Sequence, residues 1–313
     1  MTMPTAAIVG VGLIGRAWAN VFARAGWDTV LWDAEPDANA RAAELVRTSL
    51  HDLARHGLVT DPDAAAARLS TAATLEDAVA NADLVQENGP ERVDVKIDIF
   101  KRLDQAALPD AILASSSSAI VASHFTQDLV GRARCLIAHP VNPPHVVPIV
   151  ELCGAPWTDP AVISRAREIY DGVGQVPIEV KKEIDGFILN RMQAVLLSEA
   201  FRLIGEGYVT AADLDKTIRD GLGLRWAFMG PIETIELNAP EGILDYCKRY
   251  APTLLKLSSA PVTPDLWSNE TCRMVADSWG DQPTREHVAE KSAWRDDRLA
   301  ALVAHKRAAP QWK

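Results

Sequence analysis

The chain has 313 residues, of which 48% are hydrophobic and 24% charged, and its formal net charge is −10. A chain of this length can form two domains with a sizeable core. Its acidic balance argues against nucleic acid and anionic membranes as partners, because both attract basic surfaces.

The first ten residues, MTMPTAAIVG, have no basic segment followed by a long apolar one, so we expect no signal peptide. No apolar run approaches the roughly 20 residues that span a bilayer. The four cysteines contain no CxxC pair, which argues against a metal site such as zinc and favours a reducing compartment. We therefore expect a cytoplasmic globular protein.

Short apolar runs alternate with Ala-rich amphipathic stretches in the first half of the chain. The candidate strands are AAIV, DTVLW, ADLVQE, AILAS and ARCLIAH. This alternation predicts an α/β fold, a Rossmann-type doubly wound and mostly parallel sheet. From Gly186 onward helical patterns dominate, and FILNRMQAVLLSEAFRLIGEG predicts a buried helix. We place the domain boundary near Asp185, so residues 1–185 form the dinucleotide-binding domain and residues 186–313 an all-α domain.

A G-x-G-x-x-G motif follows the first candidate strand and opens the first helix. It consists of Gly10, Gly12, Leu13, Ile14 and Gly15. Glycines let the backbone approach a pyrophosphate at the helix N-terminus. Asp33, at the end of the second strand, would accept hydrogen bonds from the adenosine ribose. No Arg follows it closely, and its charge would repel a 2′-phosphate, so the motif predicts NAD as cofactor rather than NADP.

Polar residues follow three later strands, at the sheet edge where ligands bind in this fold. Glu91 and Lys96 come after ADLVQE, and four serines, residues 115–118, come after AILA. His139 closes the strand ARCLIAH. Three prolines then exclude a helix before VVPIVEL, a strand that would bring Glu151 beside the imidazole. A carboxylate next to a histidine suits it to act as a general base.

These motifs resemble the 3-hydroxyacyl-coenzyme A dehydrogenase superfamily over nearly the whole length. HPVNPPHVVPIVEL is similar to the family's His–Asn–Pro loop with its Glu, and EIDGFILNR to its Asn motif. GLGLRWAFMGPIETIELNA looks closest to the lambda-crystallin and L-gulonate 3-dehydrogenase branch. The resemblance implies an NAD-dependent dehydrogenase that oxidises a 3-hydroxy acid to the 3-keto acid. It also implies a homodimer formed through the helical domain, which holds five of the nine tryptophans.

The resemblance assigns roles to individual residues. His139 matches the catalytic base and Glu151 its partner in a dyad. Ser118 and Asn190 match groups that bind the substrate and orient its reacting oxygen. Glu91 and Lys96 match cofactor positions. All of these residue types are present, which argues against a purely structural, crystallin-like protein.

One region departs from the coenzyme A enzymes of the family, which have a Lys-rich helical hairpin after the second strand. Residues 34–72 contain four arginines and six acids, a poor surface for a nucleotide polyphosphate. We therefore expect a small free 3-hydroxy acid as substrate. Short-chain 3-hydroxyacyl-coenzyme A and carnitine remain the alternatives.

A free acid brings a carboxylate that needs a cation in the site. Arg225, in GLGLRWAFMGP, is the candidate, and its apolar neighbours predict that it is partly buried. The alternative is that Arg225 pairs with an acid in its own domain or across the dimer.

Overall fold

The computed structural model describes residues 3–257, 268–279 and 284–309. Its backbone forms two compact units, one of Met1–Asn190 with Lys291–Lys313 and one of Arg191–Glu290. The division near residue 190 lies close to the boundary expected from the sequence. The C-terminal segment differs, because residues 291–313 group with the first unit rather than with the helical domain.

The first unit is built on one sheet. Its strands are β1 (Thr5–Val9), β2 (Asp28–Trp32), β3 (Leu69–Thr71), β4 (Leu84–Glu87), β5 (Ile112–Ser115), β6 (Cys135–Pro140), β7 (Ile149–Gly154) and β8 (Val176–Glu179). They lie in the order β3-β2-β1-β4-β5-β6-β7-β8. All neighbours pair in parallel except β6 and β7, which are antiparallel. The predicted doubly wound, mostly parallel sheet is confirmed.

Helices of the first unit alternate with these strands. They are α1 (Leu13–Arg24), α2 (Pro36–Arg55), α3 (Pro62–Ala66), α4 (Leu75–Val79), α5 (Val93–Ala106), α6 (Ser123–Thr126) and α7 (Pro160–Gly172). Local chemistry sets their ends: Asp159 caps α7 by accepting from the amide of Ala161, with Pro160 in the first turn. One hydrophobic cluster contains Trp18 and Tyr170, and a second contains Phe100.

The second unit is helical. Its elements are α8 (Leu189–Gly205, which begins in the first unit), α9 (Ala211–Lys216), a π-helical segment (Thr217–Leu222), α10 (Gly223–Trp226), α11 (Pro231–Glu236), α12 (Ile243–Leu257) and α13 (Asn269–Trp279). The described residues of this unit contain no strand, as expected for an all-α domain. The prediction that α8 is buried is wrong for this chain: Met192, Val195 and Leu196 are 61%, 71% and 38% exposed.

The final helix, α14 (Arg285–Ala308), extends into the first unit. Ala300 is buried in the cluster of Trp18, and Leu299 and Val303 pack against it. Asp297 Oδ1 lies 2.6 Å from Nε2 of His56, the residue that follows α2. The apolar face of this segment therefore explains why it belongs to the first unit. None of the described helices combines the length and apolar character required to cross a membrane.

Candidate active site

The glycine motif forms the turn between β1 and α1. Gly10 has a φ of 88°, which favours glycine, and a Cβ on Gly15 would lie 1.9 Å from the Gly10 carbonyl oxygen. A Cβ on Gly12 would meet nothing within 4 Å, so this side of the turn is open. No side chain caps α1, and its first amides, at residues 13–15, precede the first helical bond from Arg16 to Gly12. Open space and unpartnered amides fit the pyrophosphate of NAD.

Asp33 follows β2 and contacts the same turn. Its Oδ2 accepts from the Val11 amide at 2.9 Å, and its Oδ1 accepts from the Glu35 amide at 3.1 Å. The carboxylate thus orders the glycine turn from the neighbouring strand. Its part in choosing NAD over NADP stays a prediction.

Glu91 holds the serine segment after β5. Its Oε1 accepts from the amides of Ser118, Ala119 and Ile120 at 3.0, 2.8 and 3.2 Å, and from the Ser117 hydroxyl at 2.6 Å. Burial raises the pKa of Glu91, but these hydrogen bonds and a nearby ammonium lower it by more, so its pKa lies below the ordinary value. The carboxylate therefore fixes the backbone that presents Ser118.

Lys96 is 1% exposed and lies within a polar network. Its Nζ donates to Glu87 Oε2 at 2.9 Å and to Ser115 Oγ at 3.3 Å, and it lies 3.9 Å from Glu91 Oε2. The contacts described for Glu91 and Lys96 are thus with the protein, and their contact with the cofactor stays a prediction. Glu87 carried no prediction from the sequence, although a lone acid closing a buried strand was a visible signal.

His139 and Glu151 face each other across β6 and β7. They are register partners in the antiparallel pair, and His139 Nδ1 lies 2.8 Å from Glu151 Oε2. Both are buried, at 5% and 0% exposure. The proline-rich segment between the strands therefore turns the chain back as the sequence predicted.

The start of α8 supplies two more donors to Glu151. Its Oε1 accepts from the amides of Ile188 and Leu189 at 2.9 and 3.0 Å. Phe187, just before them, has a φ of 47°, unusual for a residue other than glycine, and its ring centroid lies 5.4 Å from that of His139. Nothing in the sequence indicated this contact between Glu151 and the start of α8.

These contacts favour an ionised Glu151 and one tautomer of a neutral His139. Burial raises the pKa of Glu151, but the hydrogen bonds from His139, Leu189 and Ile188 lower it by more, so its pKa lies below the ordinary value. An ionised Glu151 accepts hydrogen bonds only, so the neutral imidazole carries its proton on Nδ1. The lone pair of Nε2 is then available to take a proton.

Ser118 and Asn190 also come together. Asn190 Nδ2 donates to the Ser118 carbonyl at 3.1 Å. Ser115 pairs with Ile137, so the serine segment leaves the sheet beside the strand of His139. The structure thus assembles the predicted site residues of the first unit at one edge of the sheet, the carboxyl ends of its parallel strands.

Arg225 lies in the second unit, on α10 after the π-helical segment. It is exposed, and its neighbours Leu224 and Phe228 are 65% and 59% exposed. The predicted partial burial is therefore wrong for this chain, because the irregular segment is a short surface helix. Among the residues that the structure describes, no group of His, Cys, Asp or Glu is arranged to hold a metal ion.

This chain is similar to known proteins over almost its full length. The NAD-binding domain of 3-hydroxyacyl-CoA dehydrogenase matches residues 5–184, and its C-terminal domain matches residues 186–278. Lambda-crystallin of Oryctolagus cuniculus is 39% identical over 96% of this chain and 95% of its own length. L-carnitine dehydrogenase of Pseudomonas putida is 35% identical over 96% and 92%.

A solved structure is similar to this chain over almost the full length of both. The 5-dehydrogenase of 5-formyl-3-hydroxy-2-methylpyridine 4-carboxylic acid, an NAD⁺-dependent dismutase, superposes with a TM-score of 0.82 at 27% identity, covering 96% of this chain and 97% of its own. The resemblance stated from the sequence is confirmed. The chain belongs to the 3-hydroxyacyl-CoA dehydrogenase family and is an NAD-dependent oxidoreductase that acts on a CH–OH group.

Proposed function

We propose that the chain oxidises the 3-hydroxyl group of a small free hydroxy acid, with L-gulonate the first candidate, to the 3-keto acid. The observation that supports this best is the buried His139–Glu151 pair, 2.8 Å apart, in the same sheet as the glycine turn. The choice of L-gulonate rests on the GLGLRWAFMGPIETIELNA segment and on the similarity to lambda-crystallins.

The residues of the pair divide the chemistry between them. His139 Nε2 takes the proton of the 3-hydroxyl group, and Glu151 stabilises the imidazolium that forms. Bound NAD supplies the acceptor for the hydride that leaves the same carbon. The Ser118 hydroxyl and the Asn190 amide hold the reacting oxygen and stabilise the charge that develops on it.

The segment after β2 supports a free acid over a coenzyme A thioester. It has no lysine, and two of its four arginines are already paired with acids. Arg55 pairs with Asp52, and Arg68 Nη1 lies 3.2 Å from Asp28 Oδ1. Little positive charge is left for the phosphates of coenzyme A.

A substrate panel tests this function. NADH formation is measured with L-gulonate, other 3-hydroxy acids, L-carnitine and short-chain 3-hydroxyacyl-coenzyme A. We expect the highest kcat/KM with a free hydroxy acid that lacks a cationic group. A higher value with carnitine or with a thioester would replace the proposed substrate, and no turnover with any compound would favour a structural role.

The dyad predicts a large loss of turnover without loss of cofactor binding. His139→Gln should lower kcat by about 10²–10⁴-fold, because general-base catalysis contributes that much. Glu151→Gln should also lower kcat, because a neutral amide stabilises imidazolium poorly. Affinity for NADH, measured by fluorescence, should stay nearly constant. Near-normal turnover of His139→Gln would mean that another group is the base.

The lowered pKa of Glu151 predicts how stability depends on pH. A carboxylate whose pKa is lower in the folded state stabilises that state above its unfolded pKa, and this stabilisation is lost as pH falls through the folded pKa. Glu151→Gln should therefore unfold more easily than the wild type at neutral pH, and the difference should shrink on acidification. Denaturant titrations at several pH values measure it, and a constant difference would exclude an ionised Glu151.

We also propose that Arg225 binds the substrate carboxylate. Its guanidinium can form two parallel hydrogen bonds with a carboxylate. Within the part of the chain that the structure describes, no acid pairs with Arg225, whereas Arg219 on the preceding turn donates to Asp220 Oδ1 at 2.9 Å. This contrast favours a ligand over an ion pair within its own domain.

Arg225→Met should raise the KM for the acid by about 10- to 150-fold, the effect of losing a charge-assisted hydrogen bond. Affinity for NAD should not change. Arg219→Met, in the same segment, removes an equal charge and should leave KM as it was. If the two variants behave alike, Arg225 has only a structural role.

We propose a homodimer formed through the second unit. Met192, Val195 and Leu196 lie on one face of α8 and are exposed, and large exposed apolar patches mark interfaces. Five tryptophans lie within residues 186–313. Trp226, in the second unit, is 38% exposed, and Trp294, on the part of α14 that belongs to the first unit, is 63% exposed. Of the other three tryptophans, Trp267 and Trp312 lie outside the described residues, as does the side chain of Trp279.

We also propose a reducing, cytoplasmic location, supported by the buried free thiols of Cys135 and Cys153.

Light scattering at micromolar concentration should give twice the mass of the chain. Val195→Glu should shift the mass to that of a monomer, because it places a charge within the apolar face. Val130→Glu is the control, since Val130 is 100% exposed in the first unit. A wild-type monomer would refute the proposal.

A further inference from the structure

A pocket of about 620 Å³ lies in the first unit at the carboxyl ends of β2 and β3. Its lining includes Trp32, Asp33, Thr71, Thr74, Glu76 and Arg102. In dinucleotide folds the acid after the second strand binds the adenosine ribose. With NAD bound, the pocket would therefore adjoin the ribose 2′-oxygen, which is the position of the additional phosphate in NADP.

Arg102 enters this pocket from α5. Its Nε and Nη2 donate to Glu76 Oε1 at 3.0 and 2.9 Å, and Nη2 lies 3.1 Å from Glu76 Oε2. The guanidinium carbon lies 5.7 Å from the centre of the Trp32 ring. Glu76 and Trp32 therefore hold the guanidinium in one position.

The cation and its partner have opposite effects on the choice of cofactor. Enzymes that bind NADP commonly place an Arg near the 2′-phosphate. Here such an Arg is present, but the carboxylate of Glu76 occupies its donors. The pocket thus contains two carboxylates, Asp33 and Glu76, against one guanidinium, and a phosphate dianion would meet excess negative charge.

We propose that Glu76 is a specificity-determining residue that, by pairing with Arg102, prevents the guanidinium from binding the 2′-phosphate of NADP. Preference for NAD then has two sources. Asp33 binds the ribose hydroxyls and repels the phosphate directly, whereas Glu76 acts through Arg102. The side chains of Arg102 and Glu76 are 47% and 50% exposed, so Arg102 can turn toward a phosphate once its partner is neutral.

The test measures binding of NADH and NADPH by fluorescence titration, so it does not depend on the proposed substrate. Glu76→Gln keeps the shape of the side chain and removes its charge. Its dissociation constant for NADPH should fall about tenfold, because Arg102 becomes available for a partly exposed charge-assisted bond. The constant for NADH should stay close to that of the wild type. Asp33 is unchanged, so NADH should still bind more tightly.

Two further variants separate this mechanism from a simple change of net charge. Glu76→Gln with Arg102→Gln should lose the gain in NADPH affinity, because the cation that binds the phosphate is gone. Glu199→Gln removes a carboxylate that is 48% exposed and paired with Arg202 in the second unit, and should leave both constants unchanged.

The variants should fold normally, because Thr74 Oγ caps α4 through the amide of Asp77, a contact that does not involve Glu76. Circular dichroism checks this. The proposal is overturned if Glu76→Gln leaves the ratio of the two constants unchanged. It is also overturned if the gain persists without Arg102.

Discussion

The buried carboxylate of Glu151 connects three separate parts of the chain. A buried anion is costly unless hydrogen bonds satisfy it, and Glu151 accepts from His139 and from the first amides of α8. The position of this one group therefore depends on the antiparallel pairing of β6 with β7 and on the start of α8. Phe187, at a φ of 47°, lies where the chain enters that helix. The proposed catalytic geometry and the local folding thus depend on the same contacts.

Two further carboxylates, Glu87 and Glu91, fix the segments that follow β4 and β5. Glu91 accepts from four donors of residues 117–120, and Glu87 pairs with the buried Lys96. Glu87 ends β4 and Glu91 follows it, and both contact groups that end or follow β5. Because a buried ion pair gains little net stability but is costly to break, we interpret this network as fixing loop positions rather than as a source of stability.

Much of the fold was predictable because the strands that lie in the middle of the sheet are short apolar runs between helical patterns. The strands β3 and β8 were missed for a physical reason: β3 has three residues, only the first of them buried, and β8 contains Pro177 and has no fully buried residue. The pairing of His139 with Glu151 was predictable, since the prolines between them exclude a helix and a turn brings the second strand back.

Contacts between distant residues were not predictable in the same way. Arg102 and Glu76 are far apart in the sequence and lie on different helices. The residues that immediately follow Asp33 therefore gave no indication that a cation lies in the pocket beside it. The exposure of α8 was also not predictable. An apolar pattern predicts that a helix face is buried, but it does not indicate whether residues of the same chain or of another chain bury it.

We propose that an ionised Glu151 fixes the proton of neutral His139 on Nδ1 and leaves Nε2 as the base. Nitrogen-15 NMR of histidine-labelled protein tests it directly, with His139→Gln used to assign the signals. In the neutral ring we expect Nδ1 to show the shift of a protonated nitrogen and Nε2 that of an unprotonated one. The opposite pattern, with the proton on Nε2, would contradict the account.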